Sequence, residues 1–335
     1  MTHKLKLGWK ASAEQFGPRQ LLDFAVLAEE LGFESAWISD HFQPWRHTDG
    51  HSPFSIAWLA AAGERTRRMT LGTSVLTPTF RYHPSVVAQA FATLGVMYPG
   101  RIVLGLGTGE AMNETPVIGI DWPDSRERFR RLSEAVKLMR CLWTEEFVVY
   151  DGEYYQVRGA TVYDRPEQPV PIYVAATGEV AAKFAGRQAE GFICTSGKGM
   201  ELYRDKLLPA VREGALAAGR AYDAIEKMIE VKVSYDTDRA RALADTRIWA
   251  ALALPAEEKV GVQNPRDIEE LARGVQHPER RWLVSNDPEE HVEQIAPYVE
   301  LGFTHLVFHH PGDDQAAFLR LYAEQVLPRL RERWG

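Results

Sequence analysis

Ala36-Trp37-Ile38-Ser39-Asp40-His41-Phe42-Gln43-Pro44-Trp45-Arg46-His47 is the stretch on which the reading of the fold turns. Its apolar head, Ala36-Trp37-Ile38, has the look of a short buried strand. The run stops abruptly at a carboxylate beside an imidazole. Two aromatics, an arginine and a second histidine follow before Gly50 and Pro53 break the chain. In a parallel α/β protein the loop leaving the carboxyl end of a strand is where ligands bind. An acid, an imidazole and an indole in one such loop point to a catalytic edge; the plainer alternative is a strand ending in a polar turn.

Outward from this stretch the same rhythm repeats. Residues 4–9 alternate as a first strand, and Pro18 opens a helix whose Leu21, Phe24, Ala25, Ala28 and Leu31 form a 3.6-period stripe ended by Gly32. A helix over 53–64, a strand over 69–73, a helix over 84–97, a strand over 101–107 and a long helix over about 124–143 follow. Further strands are expected at 172–175, 191–194, 229–235 and 304–308. Each precedes helical material, at 180–188, at 201–218, from about 239 and at 314–332. Eight strand-then-helix units with no shift in composition between them predict one (β/α)₈ TIM barrel over residues 1–335. Two segments stand outside the repeat. A β-hairpin is expected at 147–162 with Asp151-Gly152 at its turn, within an insertion over about 144–165. A proline-punctuated insertion over 252–281 is expected to build the rim of the site.

The 335 residues carry a formal net charge of −7 and no basic block, which argues against nucleic acid as the main partner. Cys141 and Cys194 are the only cysteines and lack metal-ligand spacing, so both are expected as reduced core residues of a cytoplasmic protein. Met1-Thr2-His3-Lys4-Leu5-Lys6 has no signal-peptide apolar segment, and no run is long enough for a membrane span.

Four chemistry-bearing features fall at carboxyl ends of the expected strands. They are Asp40-His41 with Trp45; Thr73-Ser74-Val75-Leu76-Thr77-Pro78; Gly105-Leu106-Gly107-Thr108-Gly109-Glu110 with Asn113; and Cys194-Thr195-Ser196-Gly197-Lys198-Gly199. The third departs from a dinucleotide fingerprint, because Glu110 stands where the last glycine of G-x-G-x-x-G belongs. No H-E-x-x-H, cysteine cluster or G-x-S-x-G elbow is present, which removes the commonest hydrolase and metal readings. Lys198, Lys259 and Arg281 are expected near the rim. Three cations converging on one barrel mouth would hold a phosphate or carboxylate, the arginine supplying a bidentate fork.

The segments 39–47, 72–82, 107–110 and 191–199 resemble the coenzyme F420-dependent glucose-6-phosphate dehydrogenases, a family of the luciferase-like (β/α)₈ group, and the resemblance runs over nearly the whole chain. It implies a 5-deazaflavin in the barrel mouth that accepts a hydride from C1 of glucose 6-phosphate, giving 6-phosphogluconolactone. It implies that Asp40, Ser74, Val75, Thr77, Thr108, Gly109 and Asn113 contact the cofactor. Thr177, Gly178, Val180 and Ala181 would hold its phosphate-bearing tail, and Ser74-Val75 matches the family's non-prolyl cis peptide. His41 and Glu110 become the acid/base pair, with His41 assigned to the sugar hydroxyl, Glu110 to N1 of the deazaflavin, and Trp45 beside the reacting centre. Glu14 would line the sugar pocket, and Thr195, Lys198, Lys259 and Arg281 would take the sugar's phosphate. A homodimer is implied as well.

Two departures matter. The family has Gly-Gly where this chain has Thr177-Gly178, and a histidine where it has Val260. The second suggests looser sugar selection, admitting mannose or fructose 6-phosphate. The rival readings are an F420-dependent oxidoreductase of another alcohol, an FMN-dependent luciferase-like monooxygenase, and a non-catalytic deazaflavin carrier. A carrier needs neither His41 nor Glu110.

Overall fold

Eight parallel strands close into a ring in chain order: β1 (Lys6–Ala11), β2 (Ser35–Ile38), β3 (Thr70–Thr73), β4 (Ile102–Leu106), β5 (Ile172–Ala175), β6 (Gly191–Thr195), β7 (Glu226–Tyr235) and β8 (His305–His309). Each pairs with the next, and β8 returns to β1 with Lys6 opposite His305 and Trp9 opposite Phe308. The computed structural model describes residues 4–335, so the part of the N-terminal expectation that falls on Met1, Thr2 and His3 lies outside the described residues. The expected (β/α)₈ barrel is present.

A closed barrel turns alternate residues of every strand inward. Trp37, Val103, Tyr173, Ile193, Met228 and Val307 fill the middle of the barrel as one apolar slab. The Trp37 and Tyr173 rings stack with centroids 5.7 Å apart. Outward-facing strand residues such as Leu7, Trp9, Leu71 and Leu104 pack under the helices in a second, larger core. On the amino-terminal side of the slab, His305 Nδ1 lies 2.6 Å from Glu226 Oε1, and its Nε2 lies 2.7 Å from Ser35 Oγ. The slab is thus apolar between two polar layers, and the layer at the carboxyl end faces the mouth.

The hairpin appears as Val148–Asp151 paired antiparallel with Gln156–Ala160. The 252–281 insertion is not plain loop: it contains helices Ala256–Lys259 and Pro265–Arg273 and a 3₁₀ turn over Pro278–Arg281. Strand Leu283–Ser285 and helix Pro288–Glu300 were not foreseen. The helix is legible in retrospect, since Asp287 Oδ1 caps the Glu290 amide at 2.8 Å and Pro288 occupies the first turn. The last helix is interrupted, as Gln315–Gln325 and Leu327–Trp334, where Pro328 lacks the amide needed to continue the ladder. Between β6 and β7 a π-helical turn, Leu202–Leu207, leads into Leu208–Ala217. Both cysteines are free. Among the described residues no helix is long and apolar enough to cross a membrane, and no cluster of side chains suits a metal ion.

Candidate active site

Past Ile38 the chain leaves the barrel at its carboxyl-terminal rim, and Asp40 turns back beneath the loop. Its carboxylate accepts from Ser55 Oγ at 2.6 Å, Arg81 Nη2 at 2.9 Å and the Tyr82 hydroxyl at 2.9 Å. Arg81 also donates to Glu114 Oε1 at 3.2 Å, so one buried guanidinium serves two buried carboxylates. Burial pushes the Glu114 carboxyl up, and Arg81 opposes it. Three donors thus anchor the Asp40 carboxylate in the loop's foundation. Neither Arg81 nor Glu114 was expected here; they lie 33 residues apart in sequence, and no local spacing links them.

His41 sits above this foundation. Its Nδ1 lies 2.7 Å from Glu14 Oε1, off the ring's N–H axis, so the contact is chiefly ionic. Its Nε2 lies 3.9 Å from Glu110 Oε2. Burial disfavours the imidazolium, but the Glu14 charge and then Glu110 outweigh it and raise its pKa to about 9. Glu14 is itself buried, and its Oε2 accepts the Trp45 amide at 2.7 Å. It thus ties the imidazole and the indole into one unit.

Glu110 precedes helix Ala111–Ile118 and caps nothing, so its carboxylate is left for the cleft, where 46% of the side chain is open. The surrounding protein raises its pKa, with His41 pulling the other way. Asn113 Oδ1 accepts the Phe42 and Gln43 amides at 2.8 and 3.0 Å. Its Nδ2 stands 3.4 Å from Glu110 Oε2. Asn113 therefore fixes the His41 loop against the Glu110 turn.

Ser74 and Val75 are partly exposed at the end of β3 and joined by a cis peptide bond. Gly107 must be bare beside them, because a Cβ there would come within 2.6 Å of Val75 Cγ2. Thr77 is buried next to them, and Thr108 and Gly109 line the adjoining turn half-buried. Across the rim, Thr177, Gly178 and Val180 are exposed and Ala181 half-buried where helix Glu179–Gln188 begins. Gly178 caps it without a side-chain bond, leaving first-turn amides for an anion.

Thr195 ends β6, and its carbonyl accepts the Tyr203 hydroxyl at 2.8 Å. Lys198 follows in the same turn. Arg281 donates to the Gly197 carbonyl, an approach that a side chain at Gly197 would block, since its Cβ would meet the Arg281 carbonyl oxygen at 2.6 Å. Lys259 Nζ lies 5.7 Å from the centre of the Trp45 ring. Burial lowers the pKa of Lys198 and of Lys259, and the charge of Arg281 lowers both further. Three half-buried cations that repel one another, with Lys259 also feeling Glu110, describe an anion cradle beside the imidazole–carboxyl couple. Val260 is 78% exposed.

Beneath the mouth lies a group that sequence spacing did not reveal. Glu230 is buried between Lys232 at 3.0 Å and Lys10 at 3.4 Å, with His309 Nδ1 at 3.3 Å. All four project inward from β7, β1 and β8, and only closure of the ring assembles them.

A family model described as luciferase-like monooxygenase matches residues 5–305. The chain belongs to the luciferase-like monooxygenase family. This luciferase-like chain is 61% identical over 331 residues to an F420-dependent glucose-6-phosphate dehydrogenase of Intrasporangium calvum, covering 98% of this chain and 99% of the relative. It is 60% identical over 333 residues to one of Nakamurella multipartita, covering 99% and 98%. Its structure superposes on an F420-dependent secondary alcohol dehydrogenase in complex with an F420-acetone adduct. The TM-score is 0.91 at 33% identity, over 96% of this chain and 98% of that one.

Proposed function

We propose that the chain is an F420-dependent dehydrogenase that oxidises glucose 6-phosphate at C1. The observation that carries this reading is the meeting of the His41–Glu110 couple and the Lys198–Lys259–Arg281 cradle in one mouth, bridged by Trp45 against Lys259. A long-chain or apolar substrate gives no reason for three half-buried cations there.

Oxidised F420, when bound, supplies acceptance of a hydride and a proton. The sugar's C1 loses the hydride and its hydroxyl the proton, and the C1–O bond becomes the lactone carbonyl. Ser74, Val75, Thr77, Thr108 and Gly109 form the ring's seat, with the turn at Thr177, Gly178, Val180 and Ala181 toward the anionic tail. The Thr177 hydroxyl, where relatives of the resembled family have glycine, adds one donor at that turn. Thr195, Lys198, Lys259 and Arg281 take the phosphate and so hold C1 at near-attack distance.

The raised pKa of His41 supports the opposite assignment of the couple to the one the resemblance implies. With Glu14 at 2.7 Å, His41 keeps its proton through neutral pH, so it is the donor toward N1. Glu110, open to the cleft and 3.9 Å away, is the base for the C1 hydroxyl. Its raised pKa makes it a better proton acceptor than an ordinary carboxylate. Asp40 and Asn113 serve by holding the loop and the turn that carry this pair.

Mannose 6-phosphate is the second sugar that fits. Fructose 6-phosphate is not, because its anomeric carbon bears no hydrogen to leave as hydride. Assembly as a homodimer and residence in the cytoplasm belong to the same reading. Following F420 absorbance on addition of glucose 6-phosphate tests it, and the reading fails if F420 is not reduced. Oxygen consumption with reduced FMN in its place would favour the monooxygenase alternative.

A further inference from the structure

The strongest unassigned feature is the buried group Lys10, Glu230, Lys232 and His309. Two ammonium groups and one carboxylate, each under a tenth exposed, occupy the floor of the mouth. Burying charge is tolerated only where each charge is paired. Each arm of the group also reaches a different half of the site. Lys10 Nζ donates to the Ser74 carbonyl at 2.7 Å, under the seat that Ser74 and Val75 form. The Lys232 amide donates to Ser196 Oγ at 2.8 Å, and the Ser196 amide returns to the Glu230 carbonyl at 2.9 Å, under the turn that carries Lys198.

We propose that Glu230 is a positioning residue whose carboxylate, held between Lys10 and Lys232, balances the charge beneath both halves of the mouth. It keeps Lys10 on the Ser74 carbonyl and keeps the Lys232 charge from acting unopposed on Lys198, Lys259 and Arg281. Without it, two uncompensated cations face the site from below. The proposal rests on the reading of this mouth as the F420 and sugar-phosphate site, but its test does not need turnover.

Glu14 from the loop after β1 and Glu110 before helix Ala111–Ile118 face His41, and the charge of Lys10, on the Ser74 carbonyl and Glu230 below, acts on it more weakly; the charge of Lys259 acts on Glu110. Lys10 opposes the imidazolium, and Glu230 tempers Lys10. Removing the two therefore has opposite signs. Glu230→Gln leaves Lys10 unopposed and lowers the His41 midpoint; Lys10→Met removes the opposing charge and raises it.

The experiment is an NMR titration of the His41 ring in the protein without sugar or cofactor, for the unaltered chain and both variants. The expected result is opposite displacement of at least about half a pH unit each, with Glu230→Asp returning toward the unaltered midpoint. Lys10→Met should also weaken F420 binding, read by fluorescence, by about five-fold or more. Displacement in the same direction, or no displacement in either variant, overturns the proposal. Should Glu230→Gln not fold, Lys10→Met decides alone, and an unmoved His41 midpoint overturns it. Turnover of glucose 6-phosphate by the unaltered chain is measured separately, so failure of the functional reading is seen apart from failure of this one.

Discussion

Glu14 Oε1 lies 2.7 Å from His41 Nδ1, while the other oxygen of the same carboxylate takes the Trp45 amide at 2.7 Å. One buried acid thus sets the charge of the imidazole and the placement of the indole. The His41 pKa is raised from its ordinary value to about 9, so its charged form is complete below the ordinary value and is lost as pH rises through about 9. If His41 donates a proton, kcat/KM falls with pH through that value. Glu14→Gln removes the charge that holds the proton, and the alkaline limb should move down toward the ordinary histidine range. A limb that stays in place would show that another group governs it.

His41→Ala and Glu110→Gln each remove one member of the acid–base pair. Steady-state kinetics with F420 and glucose 6-phosphate should show kcat lower by about 10²–10⁴ for each. Full kcat in either variant removes that residue from the mechanism.

The cradle predicts a different pattern. Lys198→Ala or Lys259→Ala deletes a charge-assisted contact worth about 1.5–3 kcal/mol, so KM for glucose 6-phosphate should rise by about tenfold or more, with kcat falling less. Arg281→Lys should behave similarly, since a point charge cannot reproduce a fork that also binds the Gly197 carbonyl. A fall in kcat at constant KM would place these cations elsewhere in the reaction.

Arg81 is the counter-ion of both Asp40 and Glu114. Arg81→Leu leaves two buried carboxylates unpaired and should cost about 3–5 kcal/mol of stability, measured by urea denaturation at neutral pH. Stability within about 0.5 kcal/mol of the unaltered chain would show that the pair is relieved by protonation or water.

Sugar selection is expected to be relaxed by Val260. Mannose 6-phosphate should be oxidised with kcat/KM within about tenfold of glucose 6-phosphate, and Val260→His should widen the gap. Strict preference for glucose 6-phosphate in the unaltered chain sinks the idea.

Much of the site was legible because barrel loops are short-range features. A strand end followed by Asp40-His41, or by Gly107-Thr108-Gly109-Glu110, declares itself within ten residues. The rim insertion was harder: its helices Ala256–Lys259 and Pro265–Arg273 are short and polar, and periodicity needs a longer apolar stripe to speak. Helix Pro288–Glu300 has a readable cap, but its polar opening masks the stripe of Val292, Ile295, Ala296 and Val299.

From the chain alone came the repeating strand-and-helix order, the rim on which the chemistry sits and the residue types gathered there. These depend on periodicity and on local turn chemistry, which neighbouring residues settle among themselves. Tertiary structure alone set Glu14 against His41 and Arg81 against Asp40. It alone assembled Lys10, Glu230, Lys232 and His309 beneath the mouth. Charge and protonation are set by partners a few ångströms away, and in a closed barrel those partners come from strands far apart in sequence.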